Sequence, residues 1–320
     1  MAAKLPIDEL SHPPTHPPSP STPSYLIFLI TGNPGLAGYY TTFTTHLHTL
    51  LRISHPATSI RIYARSLAGF ETALPTPPKP LGLLAQVDAV KAVLRRKVKE
   101  VEDEVGRVKV VLVGHSVGSW ILLEILQRVR WEGGVEVVAG VCLFPTVVDI
   151  ARSPRGRVFT PLLRIPGLPW IAASAARVLG LLPVPWFEAL VRSVTGMPPD
   201  AVVTTTAFLR SKMGVYQALH MARDEMSLIT TDTWDAEIWG AAHPSPTGTA
   251  RSQLFFYFGE EDHWVAEETR EEIIRARGGG EDWRPRMEVD EGGIPHGFCV
   301  ENGEEVAGIV AGYVRGVLGG

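Results

Sequence analysis

Short, almost wholly apolar segments alternate with amphipathic segments along most of this chain, and this alternation limits the folds open to it. Each apolar segment is bounded by glycine, proline or polar residues, which is typical of strands buried on both faces of a parallel sheet. Helical patterns separate the strands, so the sequence predicts an α/β fold with a mostly parallel, twisted sheet flanked by helices. The six expected strands are residues 25–30, 59–65, 108–114, 135–144, 253–258 and 286–290.

The length of 320 residues suffices for one large domain with its own core. Residues 1–24 are expected to be a disordered leader, because the stretch SHPPTHPPSPSTPS holds too few apolar side chains to build a core. A polyproline ligand is the alternative role for that stretch.

Residues 25–320 are expected to form a single domain. Within it, residues 148–250 contain many prolines and no clear strand, so we expect a helical cap inserted between two core strands.

Bulk composition excludes several classes of protein. The net charge of −4 offers no basic surface for nucleic acid. The two cysteines, Cys142 and Cys299, exclude a disulfide framework and fit a reducing compartment. No run of about 18 uncharged apolar residues occurs, so a membrane-spanning helix is not expected.

One motif in the chain indicates a specific chemistry. Gly114-His115-Ser116-Val117-Gly118 follows an apolar strand and opens an apolar helix, which is the context that a G-x-S-x-G nucleophile turn requires. Small residues are needed at both ends because the strand and the helix pack closely around a strained serine. The turn would present the Ser116 hydroxyl as a nucleophile and the Val117 N–H as a donor to an oxyanion. A glycine-rich structural turn is the alternative interpretation.

A nucleophilic serine needs a histidine base and an acid that orients the base. In this kind of fold the chain order is serine, acid, histidine. Asp262 follows the fifth predicted strand and His296 follows the sixth, so both the order and the positions fit. His296 could instead be a histidine that completes a turn, and Asp262 could merely cap the next helix. In that case the candidate acids are Glu260, Glu261 and Asp149.

The glycine-rich loop TGNPG, residues 31–35, follows the first strand. A dinucleotide site would need consecutive backbone N–H groups there, and Pro34 has none. The loop also lacks the lysine of a P-loop. The role that remains is an oxyanion hole, in which Gly32 allows close approach and the Asn33 N–H acts beside that of Val117. We expect no cofactor and no metal.

The sequence resembles the lipid droplet-associated hydrolase family of the α/β-hydrolase superfamily. The resemblance rests on GNPG with the YY and F that follow it, GHSVG, LFPTVVDIARSPRGR, YFGEEDHWV and IPHGF. It covers nearly everything beyond the leader, and the string from Phe144 to Gly156 is the most particular to the family. Ser116, Asp262 and His296 match the positions of the family's triad. The leader and the stretch His243 to Ala250 depart from the family pattern as local insertions that contain no site residue.

The resemblance implies an α/β-hydrolase fold and a serine carboxylic ester hydrolase. It also implies a location at lipid droplets and the endoplasmic reticulum, on the cytosolic face, with sterol esters or acylglycerols as substrates. The alternative is a surface protein of lipid droplets that serves lipid storage and keeps a vestigial triad. An acyltransferase or a thioesterase would use the same residues with a different acyl acceptor or donor.

The segment Val158 to Val191 is apolar but interrupted by five prolines, which excludes one long helix. It also contains Trp170 and Trp186, and tryptophan suits the boundary between acyl chains and lipid headgroups. Two interpretations stay open. The segment either packs on the core as a lid, or exposes part of its apolar surface and seats the protein on a lipid monolayer.

Overall fold

The sheet is the element that organises the molecule. The computed structural model describes residues 7–19, 22–234, 238–239, 251–279 and 284–318, and within them seven strands form one sheet. The strands are β1 (Glu9–His12), β2 (Ser24–Ile30), β3 (Ser59–Arg65), β4 (Val108–His115), β5 (Glu136–Leu143), β6 (Gln253–Phe258) and β7 (Arg286–Val289). Their order is β1-β3-β2-β4-β5-β6-β7, and only β1 runs antiparallel to its neighbour. The α/β architecture and the six predicted strands are confirmed.

Helices cover both faces of the sheet. Those outside the cap are α1 (Thr41–Ser54), α2 (Leu83–Val105), α3 (Val117–Glu132), α9 (Glu267–Arg277) and α10 (Gly303–Leu318). Alternate residues of β2 enter two different apolar clusters, as the period of a strand requires. Leu26 and Phe28 belong to the cluster that contains residues of α2 and α3. Tyr25 and Ile27 belong to the cluster that contains residues of α1 and α10.

The register of the central strands brings their carboxyl ends together. Ile30 at the end of β2 pairs with Gly114 of β4, and Gly114 pairs with Cys142 of β5. The loops that leave β2, β4 and β5 therefore emerge side by side. In open α/β sheets this edge is where ligands bind, and it is where the predicted site residues lie.

Five α-helices of the described residues lie between β5 and β6, where the sequence predicts a cap, and they are called the cap below. They are α4 (Pro154–Leu163), α5 (Leu168–Leu179), α6 (Val184–Thr195), α7 (Pro199–Arg210) and α8 (Gly214–Leu228). Proline occupies one of the first two positions of each of α4 to α7. Proline is tolerated there because the first N–H groups of a helix have no partner inside it. The prolines that prevent one long helix thus begin several short ones. No helix in the described ranges has the length and apolar composition needed to cross a membrane.

The N-terminal stretch differs from the disordered leader that its composition predicts. Glu9–His12 pairs with β3 as the antiparallel edge strand. The Asp8 carboxylate accepts hydrogen bonds from the backbone N–H groups of Thr72, Ala73 and Leu74. Backbone pairing and one buried carboxylate thus order a segment that lacks a core of its own. Residues 1–6 and 20–21 lie outside the described residues, as does the predicted insertion at 243–250.

Candidate active site

Ser116 lies in the sharp turn between β4 and α3. Its backbone has φ 55° and ψ −125°, a region that residues other than glycine rarely adopt. The Ser116 N–H donates to the Leu143 carbonyl at 2.9 Å, which ties the turn to the end of β5. The strained backbone holds the serine at the entrance of α3, at the edge where the strand ends converge.

The flanking glycines are required by close backbone contacts. A Cβ atom at Gly114 would lie 2.5 Å from the Gly118 carbonyl oxygen, and a Cβ atom at Gly118 would overlap the Ile30 carbonyl oxygen. Both neighbours are backbone atoms of packed elements, so neither can move aside. The spacing of glycine in the motif therefore follows from how closely α3 packs against β2 and β4.

His296 lies between Ser116 and Asp262. Its Nε2 is 2.9 Å from the Ser116 Oγ, and its Nδ1 is 2.7 Å from the Asp262 Oδ2. A carboxylate only accepts, so the Nδ1–H of His296 donates to Asp262 and the Nε2 accepts from the Ser116 hydroxyl. Ser116 lies 180 positions before His296 in the sequence, and Asp262 lies 34 positions before it. The structure thus brings the three predicted residues together in one hydrogen-bonded series.

The other candidate acids lie elsewhere in the structure. Asp149 pairs with Arg152, whose Nη1 is 3.5 Å from its Oδ2. Glu260 and Glu261 are exposed, whereas Asp262 is buried. Helix α9 begins five residues after Asp262, so this aspartate is not its N-cap residue.

The two predicted oxyanion donors belong to two different elements of the site. Val117 is the first residue of α3, and the first N–H groups of a helix lack an intrahelical acceptor. Asn33 lines the same cavity as Ser116. Within the described residues, neither backbone N–H has a protein acceptor. Gly32 comes so close to the serine that a Cβ atom there would lie 3.2 Å from the Ser116 Cβ.

A buried network that the sequence did not indicate joins the site loops. The Gly32 N–H donates to the Tyr40 hydroxyl at 3.0 Å, and the Tyr40 O–H donates to the His115 Nδ1 at 2.6 Å. The His115 Nε2–H then donates to the His296 carbonyl at 2.8 Å. These directions apply to a neutral imidazole with its proton on Nε2, since the His296 carbonyl can only accept. Burial, and next the charge of His296, lower the pKa of His115 to about 3, which keeps it neutral.

A cavity of about 330 Å³ opens onto this chain of residues. Its lining includes Ser116 and His296, apolar side chains of the cap, and one carboxyl group, Glu225 of α8. Glu225 is buried, and the sequence did not single it out. Cys299 also lines the cavity, but burial raises the pKa of its thiol to about 12, so it does not supply a thiolate nucleophile. No cluster of three or more potential metal ligands occurs in the described part of the chain.

Proteins similar to this chain in sequence belong to one family. The profile of the lipid-droplet associated hydrolase family matches residues 23–299. A lipid droplet-associated hydrolase of Gallus gallus is 29% identical over 307 residues, covering 93% of this chain and 86% of the relative. A protein of the same name from Homo sapiens is 33% identical over 157 residues, 46% of each chain. The Drosophila melanogaster relative is 24% identical, covering 92% and 90% of the two chains.

Several solved structures share its fold. The peroxisomal alpha-beta-hydrolase Lpx1 of Saccharomyces cerevisiae matches with a TM-score of 0.62 at 12% identity, covering 94% of this chain and 79% of that one. An esterase of Exiguobacterium antarcticum matches with a TM-score of 0.51 at 16% identity, covering 96% and 94%. At these identities the likeness shows the fold alone. With the family profile spanning most of its length, the chain belongs to the lipid-droplet associated hydrolase family, and it is a hydrolase with the α/β-hydrolase fold.

Proposed function

We propose that this protein is a serine ester hydrolase that acts on apolar lipid esters at the surface of lipid droplets. The observation that supports this most strongly is the hydrogen-bonded chain from the Ser116 Oγ through His296 to Asp262. In this chain Ser116 is the nucleophile, His296 the general base and then the general acid, and Asp262 the group that orients His296.

In the first half of the reaction the Ser116 Oγ attacks the ester carbonyl carbon while the His296 Nε2 takes the hydroxyl proton. The carbonyl oxygen becomes an oxyanion, to which the Asn33 and Val117 N–H groups donate. The intermediate then collapses, the bond to the alcohol oxygen breaks, and His296 gives its proton to that oxygen. The alcohol leaves, and the acyl group stays on Ser116 as an ester.

In the second half a water molecule attacks the acyl-enzyme. His296 takes a proton from this water as its oxygen bonds to the acyl carbon, and the same two N–H groups stabilise the second oxyanion. Collapse breaks the bond to the Ser116 Oγ, which recovers its proton from His296. The carboxylic acid leaves, and the free serine is restored.

The lining of the cavity supports an apolar acyl group as the substrate. Apolar side chains from four separate segments line it: Ile150, Met197, Ala222, Met226 and Val300. Burial of such surface against an acyl chain contributes about 0.8 kcal/mol per methylene. Sterol esters or acylglycerols, the substrate classes that the family resemblance implies, have acyl chains of this kind.

The cap exposes more apolar surface than a soluble lid needs. The term "cap surface" denotes the exposed large apolar side chains of α5, α6 and the turn between them: Trp170, Ile171, Val178, Leu179, Leu181, Leu182, Val184, Trp186, Leu190 and Val194. Leu181 is 82% exposed, Trp186 74% and Trp170 68%. Exposed patches of this composition mark sites that bind a protein, a ligand or a membrane.

Helix α6 is apolar on two sides. Phe187 and Val191, four residues apart, are buried against Val202 of α7. Trp186, Leu190 and Val194 follow the same four-residue spacing along an exposed side. The first pair accounts for the packing of the helix on the cap, so the second set is available to another surface.

The charged residues near the cap surface favour a lipid monolayer as the surface that it binds. The segment 154–195 contains five arginines and a single carboxylate, and all five arginines are exposed. Cations beside apolar side chains suit an interface that carries anionic headgroups. We therefore propose that the cap surface seats the protein on the droplet. Location on the cytosolic face and at the endoplasmic reticulum stays a prediction.

The cap surface also favours a second candidate function. A protein that serves lipid storage from the droplet surface would need the same exposed side chains without turnover at Ser116. The two functions differ in whether the site reacts.

Hydrolysis of a water-soluble ester distinguishes them. We expect the wild-type protein to hydrolyse p-nitrophenyl butyrate and Ser116→Ala to lose on the order of 10³-fold or more in kcat while remaining folded. Ser119→Ala is the matched control, because it removes a buried hydroxyl one turn further along α3 that donates only to the Gly114 carbonyl. A folded wild-type protein without turnover would favour the storage function. Equal turnover in Ser116→Ala would refute the assignment of the nucleophile.

A further inference from the structure

Glu225 reaches the active site from the cap. Its helix, α8, is fixed to the core by two side chains that precede Glu225 in the helix. Gln217 exchanges two hydrogen bonds of 2.8 Å with the backbone of Leu81, and Asp224 accepts from the Leu83 N–H at 3.1 Å. Glu225 lines the cavity of Ser116 and is only 5% exposed. The helix thus presents one carboxyl group to the site from a fixed position.

The carboxyl group holds the side chain of Asn33. The Asn33 Nδ2 donates to the Glu225 Oε1 at 2.7 Å and to the Ala218 carbonyl at 3.0 Å. Both acceptors lie on α8. The Asn33 Oδ1 is buried and has no partner among the described residues, so this side chain is held through its nitrogen alone.

The backbone N–H of the same asparagine is the proposed oxyanion donor. A donor of this kind acts only when it is fixed in place before the charge develops. We propose that Glu225 is a positioning residue of the active site: from cap helix α8 it holds Asn33, and its own negative charge opposes formation of the oxyanion. This inference rests on the hydrolase mechanism proposed above.

The environment of Glu225 bears on its charge. Burial raises the pKa of Glu225, the hydrogen bond from Asn33 lowers it by less, and the charge of Asp224 adds a smaller rise, so that the resulting pKa is about 7. No lysine or arginine is among the described residues that line the cavity. The other titratable groups of the lining are Tyr39, Tyr40, His115, His296 and Cys299.

A carboxylate in this cavity would face the developing oxyanion, and the described lining holds no lysine or arginine to offset its charge. Two like charges in a site of low dielectric repel each other strongly. Glu225 is neutral below its pKa and charged above it, so the rate of turnover is expected to fall as pH rises through about 7. At higher pH the rate of turnover should reach a lower plateau rather than zero, because the ionised carboxylate still accepts the hydrogen bond from Asn33.

Three variants test these two roles in steady-state hydrolysis of p-nitrophenyl butyrate. Glu225→Gln keeps an acceptor for Asn33 but has no charge, so its kcat should match wild type at low pH and exceed it about tenfold above the decline. Glu225→Leu has neither the acceptor nor the charge, so its kcat should be about tenfold to a hundredfold below that of Glu225→Gln at every pH, with KM nearly unchanged.

Asp224→Asn is the matched control. Its amide oxygen can still accept from the Leu83 N–H, and the substitution removes the charge beside Glu225. The maximal rate should persist, while the midpoint of the decline should move to lower pH because Glu225 then ionises more readily.

The outcomes separate this inference from the proposed function. An active wild-type enzyme whose pH profile is unchanged in Glu225→Gln, with full kcat in a folded Glu225→Leu, would overturn the role of Glu225 alone. A wild-type enzyme that neither turns over nor reacts with a fluorophosphonate would overturn the hydrolase mechanism and this inference with it. If Glu225→Leu does not fold, the profile of Glu225→Gln still decides the question of charge.

Discussion

The Nδ1 of His296 lies 2.7 Å from the Oδ2 of Asp262, whose side chain is only 3% exposed. The other carboxylate oxygen accepts from the Trp264 N–H at 2.8 Å. With both oxygens engaged, the aspartate cannot rotate without losing a hydrogen bond in a buried place, where such a loss costs about 1–3 kcal/mol. The carboxylate therefore fixes both the orientation and the tautomer of the imidazole ring.

Replacement of this carboxylate should disable the base. In Asp262→Asn we expect kcat for p-nitrophenyl butyrate to fall by about 10⁴, because the amide neither stabilises an imidazolium nor enforces the tautomer with Nδ1–H. Asp149→Asn is the control, since that carboxylate pairs with Arg152 instead, and it should change kcat little. A large loss in the Asp149 variant and a small one in the Asp262 variant would mean that the acid follows β5.

The cap surface should be needed for the droplet and not for chemistry. In Leu181→Ser/Leu182→Ser/Trp186→Ser we expect the protein to move from droplets to the cytosol, because each apolar side chain withdrawn from lipid removes about 1.5–3 kcal/mol. Hydrolysis of p-nitrophenyl butyrate should persist. Flotation of droplets followed by quantification of the bound fraction measures the effect.

A second triple variant controls for loss of exposed apolar area. Ile53, Leu84 and Trp131 are also exposed, and they lie on α1, α2 and α3 rather than in the cap. Their replacement by serine should leave droplet binding unchanged. Equal binding by the two folded triple variants would show that the anchor lies outside the cap surface.

The neutral His115 should make the fold sensitive to acid. Its pKa is about 3 in the folded protein and 6.5 as the ordinary value, so the unfolded chain binds a proton that the folded chain does not. The free energy of unfolding should therefore fall as pH drops below about 6.5, by about 2 kcal/mol at pH 5 from this group. Urea unfolding at neutral pH and at about pH 5 measures the change.

The variant His115→Gln isolates this contribution. Glutamine does not titrate, so the acid-induced loss should be smaller in the variant by the amount assigned to His115, even if the variant is less stable at neutral pH. The same loss in both proteins would indicate that His115 is protonated in the fold, or that other groups cause the sensitivity.

The central fold was predictable because its signals are local. Strands β2, β4, β5 and β6 are mostly apolar segments bounded by turn residues, and the predicted ends of all six strands β2 to β7 agree with the structure to within one residue. Strand β1 was missed because the sequence Glu-Leu-Ser-His carries no strand signal of its own. It is ordered by pairing with β3, a contact that the local sequence does not encode.

The residues of the candidate site also differ in whether the local sequence could predict them. Ser116, Asp262 and His296 each follow a recognisable strand, so the topology of the fold predicted their meeting. Glu225 lies 192 positions from Asn33, in a run of charged residues that is typical of a solvated helix face. Its burial depends on how the cap packs, and no periodicity in the sequence indicated that.

The measurement that tests the central claim most directly is covalent labelling with a fluorophosphonate, followed by mass spectrometry of the labelled peptide. The probe forms a stable bond to a serine only when a neighbouring base activates the hydroxyl. We predict stoichiometric labelling of the wild-type protein at Ser116 and none in a folded Ser116→Ala. Labelling at another residue, or no labelling of the folded wild-type protein, would contradict the assignment of Ser116 as an activated nucleophile.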